Sequence, residues 1–283
     1  MGIAGRVGAV AVAGLALLLT SCSSVNPGSS NPPSTGSATP IPAGARYVAI
    51  GSSYAAGIGI PAAAGGPCAR STHNYPSLVA AALDLTLDDV SCSGATTVNV
   101  LTTGQYGDPP QIDAVTPNTA LVTFTVGGND IGYVATAFAC GAPSPACTVD
   151  RSQLSAALVA LRTSLTTVVN TIHLRAPSAK VVLVTYPRLV PPTACPALDY
   201  TAAGSRIVAS MGQDLEQVFL EVAHDTHVIL ADPYAIGAGH GPCTPPAQRW
   251  VAGHTVTVGF PYHPTPAGHV EMASLVEEAL HQT

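Results

Sequence analysis

Charged residues are scarce in this sequence of 283 residues: they make up 9% of it, and Lys180 is the only lysine. Lysine and arginine together number 10, against 16 aspartate and glutamate residues, which gives a formal net charge of −6. A protein that binds nucleic acid needs a basic face, and so few cations cannot form one. The composition therefore excludes nucleic acid as a partner.

The common cofactor motifs are also missing. No cysteine and histidine pattern has the spacing of a structural zinc site, and neither the phosphate-binding P-loop nor the dinucleotide motif GxGxxG occurs. We therefore expect no cofactor and no metal. Apolar residues, in contrast, make up 47% of the chain, and that much apolar surface collapses into a core. A disordered chain is excluded.

The first residues have the composition of an export signal. Arg6 is the only charge ahead of a small and apolar run over 7–19, which is shorter than the roughly 20 residues of a membrane span. The run ends in Leu-Thr-Ser-Cys at Cys22, which resembles a bacterial lipobox, whose cysteine is acylated. We predict a lipoprotein signal peptide over 1–21. The alternative is an ordinary secretory signal with Cys22 left as a free thiol.

The segment after Cys22 is rich in serine, proline, glycine, asparagine and threonine, and it has almost nothing to bury. We predict the lipidated cysteine and a tether over 22–44, followed by one α/β domain over 45–283. The protein is then expected to be a monomer, held by its lipid on the outer face of the bacterial cell membrane, or shed or secreted from it.

The cysteine count agrees with export. Of the seven cysteines, six remain once Cys22 is set aside, and an even number in an oxidising compartment predicts three disulfides. Six cysteines can pair in many ways, and some of them could instead be buried free thiols. The simplest scheme joins neighbours along the chain: Cys68 with Cys92, Cys140 with Cys147, and Cys195 with Cys243.

Short β-rich runs alternate with helical patterns along the domain. Strands are predicted at 46–50, 87–90, 120–126, 180–185 and 227–230, and helices at 78–85, 151–174, 200–223 and 266–280. This alternation is typical of βαβ units, which form a mostly parallel sheet covered by helices on both faces. Ligands of such sheets bind beyond the carboxyl ends of the strands.

Two predicted strands are followed directly by residues suited to chemistry. Ser52 and Ser53 come after the first strand, and a serine that leads into a helix gains backbone N–H groups as oxyanion donors. The same residues would also suit a plain turn or helix cap. The segment 127–130 forms a turn on either interpretation, and in it the amide of Asn129 could donate to an oxyanion.

Two further candidates are weaker by themselves. Gly94 follows another short strand, where a ligand could approach the backbone N–H. His263 precedes the last helix in a proline-rich loop and could serve as a general base. It could equally be a surface histidine, or a metal ligand together with His269, although their spacing fits no common metal site.

Taken in order, these segments resemble the SGNH/GDSL hydrolase family of esterases and lipases, and most closely its branch of secreted actinobacterial enzymes. The matching blocks are 47–57, 74–76, 90–97, 127–130 and 263–264. The resemblance covers most of residues 46–281. It implies a flavodoxin-like three-layer α/β/α sandwich, hydrolysis of acyl esters, and the same sequential pairing of three disulfides.

The resemblance also assigns roles. Ser53 matches the nucleophile and His263 its general base, while the backbone N–H groups of Ser53 and Gly94 and the side chain of Asn129 match the oxyanion hole. These residue types suit the reaction, because a neutral serine needs a base and the tetrahedral intermediate needs donors. The implied substrate is an acyl ester, either a small molecule or a lipid.

Two positions depart from the family pattern. Ser52 stands where an aspartate usually precedes the nucleophile, and Phe260 where an aspartate usually orients the histidine. Some members of the branch use a main-chain carbonyl instead. We therefore predict a Ser53–His263 dyad oriented by the carbonyl of Phe260 or Pro261. The alternatives are a catalytically degenerate lipoprotein that binds lipid or glycan, and an acyltransferase that uses the same residues.

Overall fold

The computed structural model describes residues 40–141 and 147–282. The predicted signal peptide, Cys22 and the tether as far as residue 39 lie outside the described residues. Within the part described, no helix is both long enough and apolar enough to cross a bilayer.

A parallel sheet of five strands lies at the centre of the fold. Its strands are β1 (Arg46–Gly51), β4 (Thr86–Asp89), β5 (Thr119–Thr125), β6 (Lys180–Val184) and β7 (Ile229–Ala231), in the order β4-β1-β5-β6-β7. The chain starts in the second position and then reverses direction across the sheet, which is the flavodoxin-like order. The predicted α/β class and parallel sheet are confirmed.

Helices follow the strands as the alternation predicts. They are α1 (Ser53–Ala56), α2 (Tyr75–Ala82), α3 (Tyr133–Cys140), α4 (Arg151–Arg175), α5 (Ala202–Thr226), α6 (Pro233–Ile236) and α7 (Pro266–His281). A small antiparallel pair, β2 (Ala63–Gly65) and β3 (Arg70–Ser71), lies outside the main sheet and was not predicted. Short helical turns occupy Asn99–Thr103, Gln111–Ala114, Gly237–Gly239 and Pro246–Gln248.

The three layers follow from the alternation of side chains along the strands. Tyr47 and Ala49 of β1 pack in one apolar cluster with residues of α2 and α7. Val48 and Ile50 face the other way and pack with residues of α4 and α5. Both faces of the sheet are therefore buried, which explains why the strands read as continuous apolar runs.

The start of α2 differs from the expectation. The helix begins at Tyr75 rather than at Leu78, because the side chain of Asn74 accepts the N–H of Ser77 at 3.0 Å and caps the first turn. The helix also ends earlier, at Ala82. Asn74 is thus a cap that periodicity alone did not indicate.

Three disulfides join the cysteines in sequential pairs: Cys68–Cys92, Cys140–Cys147 and Cys195–Cys243. The first has functional consequences, because Cys92 immediately precedes the turn that carries Gly94. Ser93 N–H also donates to the carbonyl of Cys68 at 3.0 Å. This disulfide therefore ties the turn after β4 to the segment that precedes β3.

Removing the Cys68–Cys92 bridge should lower the free energy of unfolding by about 3 kcal/mol, because its two cysteines are 24 positions apart and the bridge restricts the unfolded chain. The measurement is urea unfolding of the Cys68→Ala/Cys92→Ala variant.

The matched control is Cys140→Ala/Cys147→Ala, which opens a separation of only 7 positions. It should cost less, about 2 kcal/mol. Equal stability of the first variant and the native chain would contradict the prediction.

Candidate active site

The predicted site residues meet at one edge of the sheet. Ser53 follows β1, Gly94 follows β4 and Asn129 follows β5, so that all three lie beyond the carboxyl ends of neighbouring strands. In a sheet of this order, the crevice for a ligand opens where the chain reverses direction, between β1 and its neighbours. The structure brings these segments together there.

The turn that carries Ser53 depends on a glycine. Gly51 has a φ of 153°, and a Cβ at this position would lie 2.6 Å from the carbonyl oxygen of Thr125. Ser52 N–H donates to that same oxygen at 2.9 Å. The close approach of β1 and β5 therefore requires a residue without a side chain. It turns the chain sharply so that Ser53 begins α1.

Gln111 holds the same glycine from the other side. Its side-chain oxygen accepts the N–H of Gly51 at 2.8 Å, and its amide nitrogen donates to the carbonyl of Gly51 at 3.1 Å. The Gln111 side chain is buried and mimics the pairing of a neighbouring strand. The backbone ahead of Ser53 is thus fixed by hydrogen bonds on both edges.

Ser53 and His263 are hydrogen-bonded to each other. Ser53 Oγ lies 2.7 Å from His263 Nε2, and His263 Nδ1 lies 2.8 Å from the carbonyl oxygen of Pro261. Because a carbonyl can only accept, Nδ1 carries the proton and Nε2 is left to accept from the Ser53 hydroxyl. This is the tautomer that a general base requires. The orienting group is a main-chain carbonyl, at Pro261.

The loop before His263 is held in an unusual conformation. Tyr262 has a φ of 62°, and its carbonyl accepts a short hydrogen bond from the hydroxyl of Tyr54. The backbone carbonyl of His263 accepts a hydrogen bond from the N–H of Ala252 at 2.9 Å. Tyr54 is the residue after Ser53, so the helix that begins at Ser53 also holds the loop of His263.

The environment of His263 is apolar. Its imidazole is 3% exposed, and the rings of Tyr54 and Phe260 lie 4.7 Å and 5.1 Å from it. Burial lowers the pKa of His263 to about 4, although the carbonyl of Pro261 favours the charged form and partly opposes the shift. His263 is therefore neutral, and able to accept a proton, over most of the pH range.

Two of the candidate oxyanion donors, Asn129 and Gly94, lie on turns that are hydrogen-bonded to each other. Asn129 Nδ2 donates to the carbonyl of Ala95 at 2.9 Å, which joins the turn after β5 to the residue that follows Gly94. An amide nitrogen has two protons, so this bond leaves one for a ligand. Gly94 is exposed, and its N–H has no protein acceptor within the described residues.

The acidic residues that could have oriented His263 are occupied elsewhere. Asp130 accepts from the backbone N–H of Thr97 at 3.0 Å and from its hydroxyl. Asp232 accepts from the hydroxyl of Thr185 at 2.7 Å and caps α6. Both carboxylates stabilise turns at the edge of the sheet.

The arrangement of His263 and His269 does not support the alternative interpretation of them as metal ligands. Both ring nitrogens of His263 are hydrogen-bonded, and His269 Nδ1 accepts the N–H of Tyr75 at 3.1 Å. Among the described residues, no group of three or more His, Cys, Asp or Glu side chains is placed to hold a metal ion.

Sequence reasoning missed four residues that shape this site: Tyr54, Gln111, Tyr186 and Tyr262. Each acts through a side-chain or backbone contact with a segment distant in the chain. Tyr54 and Tyr262 did have an indication in the sequence, because they adjoin Ser53 and His263. A buried tyrosine in a loop otherwise looks like an ordinary core residue.

The segments around the site are free of charge. Residues 54–69, 90–107, 131–141 and 250–264 contain no lysine, arginine, aspartate or glutamate. They do contain large apolar side chains that remain exposed, among them Val98, Phe138, Val258 and Phe260. Phe138 and Phe260 also contact each other, with ring centroids 5.9 Å apart. These four segments offer a ligand uncharged and partly apolar contacts, and the carboxylate that adjoins Asn129, that of Asp130, is hydrogen-bonded to Thr97.

Comparisons with known proteins point the same way as the geometry. Residues 49–270 match the model of the GDSL-like lipase/acylhydrolase family. Lipase 2 of Streptomyces coelicolor is 32% identical over 259 residues, which cover 83% of this chain and 85% of that relative.

Solved structures show the same relationship. The extracellular lipase of Streptomyces rimosus matches with a TM-score of 0.67 at 29% identity, covering 83% of this chain and 99% of that one. The phospholipase A1 of Streptomyces albidoflavus NA297 matches with a TM-score of 0.67 at 28% identity, covering 84% of this chain and 100% of that one.

The depressed pKa of His263 should set the pH dependence of Ser53 reactivity. Covalent labelling of Ser53 by a fluorophosphonate needs neutral His263, so its rate should rise with pH through about 4 and stay level from about pH 5 upward. The measurement is the second-order labelling rate between pH 3 and 8, by mass spectrometry.

A substitution at Phe260 checks the physical cause. In Phe260→Asp, a carboxylate beside the imidazole should raise the pKa of His263 and move the rise in rate to higher pH. Phe260→Leu is the matched control, since it keeps an apolar neighbour and should leave the midpoint near that of the native chain. A native midpoint near about 6.5, the value of a free histidine, would contradict the prediction.

Proposed function

The chain belongs to the GDSL-like lipase/acylhydrolase family, and on that basis we propose that it hydrolyses acyl esters with Ser53 as nucleophile and His263 as general base. The observation that carries the proposal is the 2.7 Å hydrogen bond between Ser53 Oγ and His263 Nε2, at the edge of the sheet where this fold binds ligands.

The geometry indicates how the reaction would proceed. Ser53 Oγ attacks the ester carbonyl carbon while its proton passes to His263 Nε2. The carbonyl oxygen becomes an oxyanion, which the N–H groups of Ser53 and Gly94 and the amide of Asn129 stabilise. As the intermediate collapses, the alcohol leaves with the proton from His263. A water molecule then repeats these steps on the acyl-enzyme and releases the carboxylic acid.

A carbonyl in place of a carboxylate should lower the rate of this reaction. Pro261 O fixes the ring and its tautomer at 2.8 Å, but it carries only a partial charge and stabilises the imidazolium less than an aspartate would. Burial adds to the cost, because it disfavours the charged ring. We expect a working enzyme that is slower than relatives with a full triad.

The segments around the site that lack charge support a proposal for the substrate class. The four segments hold no cation and Asp130 adjoins Asn129, so an ester that carries a negative charge near its scissile bond would lose water without gaining an ionic partner. The substrate is therefore an uncharged acyl ester, whose acyl or alcohol part contacts exposed apolar residues such as Phe260 and Val258.

Two substitutions test the assignment of roles. Ser53→Ala should lower kcat for p-nitrophenyl butyrate by more than about 10³-fold. Asn129→Ala should lower kcat by about 10²–10³-fold with little change in KM, because the oxyanion exists only in the transition state. The measurement is steady-state kinetics on the purified domain.

Asn170→Ala serves as the control, because Asn170 is exposed on α4. It should leave both constants unchanged. A p-nitrophenyl ester with a carboxylate in its acyl chain should react more slowly than the uncharged ester. Full activity in Ser53→Ala would overturn the proposed nucleophile.

The location of the enzyme is a separate part of the proposal. Three disulfides favour an oxidising compartment outside the cytoplasm. We propose that residues 1–21 direct export, that Cys22 is acylated, and that residues 22–44 connect this anchor to a hydrolase domain over 45–283. The support is the Leu-Thr-Ser-Cys sequence at the end of the apolar run.

Cys22→Ala should move the full chain from the membrane fraction to the soluble fraction when it is expressed in a bacterium that processes lipoproteins. The change removes the only thiol of the predicted lipobox. The measurement is immunoblotting of the fractions, with Ser24→Ala as a matched control that should stay with the membrane. Native protein whose mature N-terminus lies elsewhere would refute the anchor.

A further inference from the structure

Tyr186 lies at the centre of the site without touching the reacting atoms of the dyad. Its side chain is buried, and the rings of Tyr54, Tyr133 and Phe219 surround it at centroid distances of 4.5, 6.4 and 5.9 Å. Packing on three sides fixes the ring, and with it the position of the hydroxyl. That hydroxyl lies between the turns after β1 and β5.

The hydrogen bonds of Tyr186 have a defined direction. Gly128 N–H donates to the Tyr186 hydroxyl at 2.9 Å, and Ser52 Oγ lies 3.2 Å from the same hydroxyl oxygen. An N–H can only donate, so the Tyr186 proton is free to go to Ser52 Oγ. The Ser52 proton then points to the carbonyl of Thr125, 3.4 Å away.

The resulting chain runs Gly128 N–H, Tyr186 O–H, Ser52 O–H and Thr125 C=O. Ser52 immediately precedes Ser53, and Gly128 immediately precedes Asn129. The chain therefore joins the neighbour of the nucleophile to the neighbour of an oxyanion donor. Bonds arranged head to tail polarise one another, so the loss of one weakens the rest.

Gly128 leaves space for the Tyr186 side chain because it has no side chain of its own. A Cβ on Gly128 would lie 2.9 Å from two ring carbons of Tyr186 and 3.0 Å from its hydroxyl. The tyrosine thus lies directly against the Gly128 backbone, where a larger residue would push the ring away. This fit is independent of the hydrogen bonds.

We propose that Tyr186 is a positioning residue for ester hydrolysis, whose hydroxyl sets the distance between the Ser53 nucleophile and the Asn129 oxyanion donor through Ser52 and Gly128. The inference rests on the proposed function of Ser53 and His263. It gives Ser52 a role: the serine in place of the family's usual aspartate is short enough to leave room for the tyrosine hydroxyl and still bond to it.

The consequence concerns the transition state. Nucleophile and oxyanion donor must contact the same carbonyl group together only when the tetrahedral intermediate forms. Loss of the Tyr186 hydroxyl should therefore reduce kcat and leave KM nearly unchanged. A residue that contributed to stability alone would not lower kcat while leaving KM unchanged.

The test is a double-mutant cycle on the purified enzyme with p-nitrophenyl butyrate. Tyr186→Phe keeps the packed ring, and should lower kcat by about tenfold with KM within about twofold of native. Ser52→Ala should lower kcat by several-fold. The double variant should lose no more than Tyr186→Phe alone, because both changes break one chain.

Tyr47→Phe is the matched control, because Tyr47 is also buried and its hydroxyl bonds to Thr123 Oγ1 at 2.7 Å, within the sheet. It should reduce thermal stability but leave kcat unchanged, and combine additively with Ser52→Ala. Ser52→Ala alone still decides the matter if Tyr186→Phe folds poorly: a fall in kcat at constant KM supports the proposal, and native kinetics overturn it.

Two other results would also overturn the inference: a native kcat in Tyr186→Phe, or independent effects of the two substitutions in the double variant. Ser53→Ala in the same assay separates these outcomes from a failure of the proposed function. If Ser53→Ala is inactive while Tyr186→Phe is native, the esterase assignment stands and only the role of Tyr186 falls.

Discussion

One hydrogen bond, between side chains 210 positions apart, imposes the strictest demand on this fold. Ser53 Oγ and His263 Nε2 must meet within hydrogen-bond distance although they come from opposite ends of the domain. The turn after β1 is fixed by Gly51, Thr125 and Gln111. The loop before α7 is fixed by its contacts to Tyr54 and Ala252. Each side is held by several bonds, because an error of about 1 Å would be costly in rate.

The orientation of His263 by a carbonyl alters the electrostatics of the whole site. An aspartate would bring a full negative charge into a buried region and would itself need partners. The carbonyl of Pro261 orients the ring without that charge, and the ring of Phe260 lies 5.1 Å from the imidazole. The dyad and its orienting group therefore carry no charge in the resting state. Such a site matches the uncharged segments around it and the neutral ester that it is proposed to receive.

Local sequence patterns were sufficient to predict the central strands and the long helices, but not the side-chain contacts between distant segments. Apolar runs such as 180–184 predicted their strands because burial on both faces leaves a continuous pattern, and the long stripe of α4 was equally clear. The hairpin of β2 and β3 and the short helix α3 have no such periodicity. Ser53, Gly94, Asn129 and His263 were predicted through ordered motifs, whereas Tyr186 and Gln111 make contacts that depend on the folded chain. No local sequence rule distinguishes those two residues from other buried polar ones.

The parallel direction of the strands separates the two ends of β1. The chain enters the sheet at Arg46 on one edge and leaves at Gly51 on the other, about 20 Å away at the usual rise per residue. Ser53 lies at the exit edge, whereas the described residues that precede Arg46, residues 40–45, lie at the entry edge. The direction of β1 therefore places Ser53 and the start of the described chain at opposite edges of the sheet.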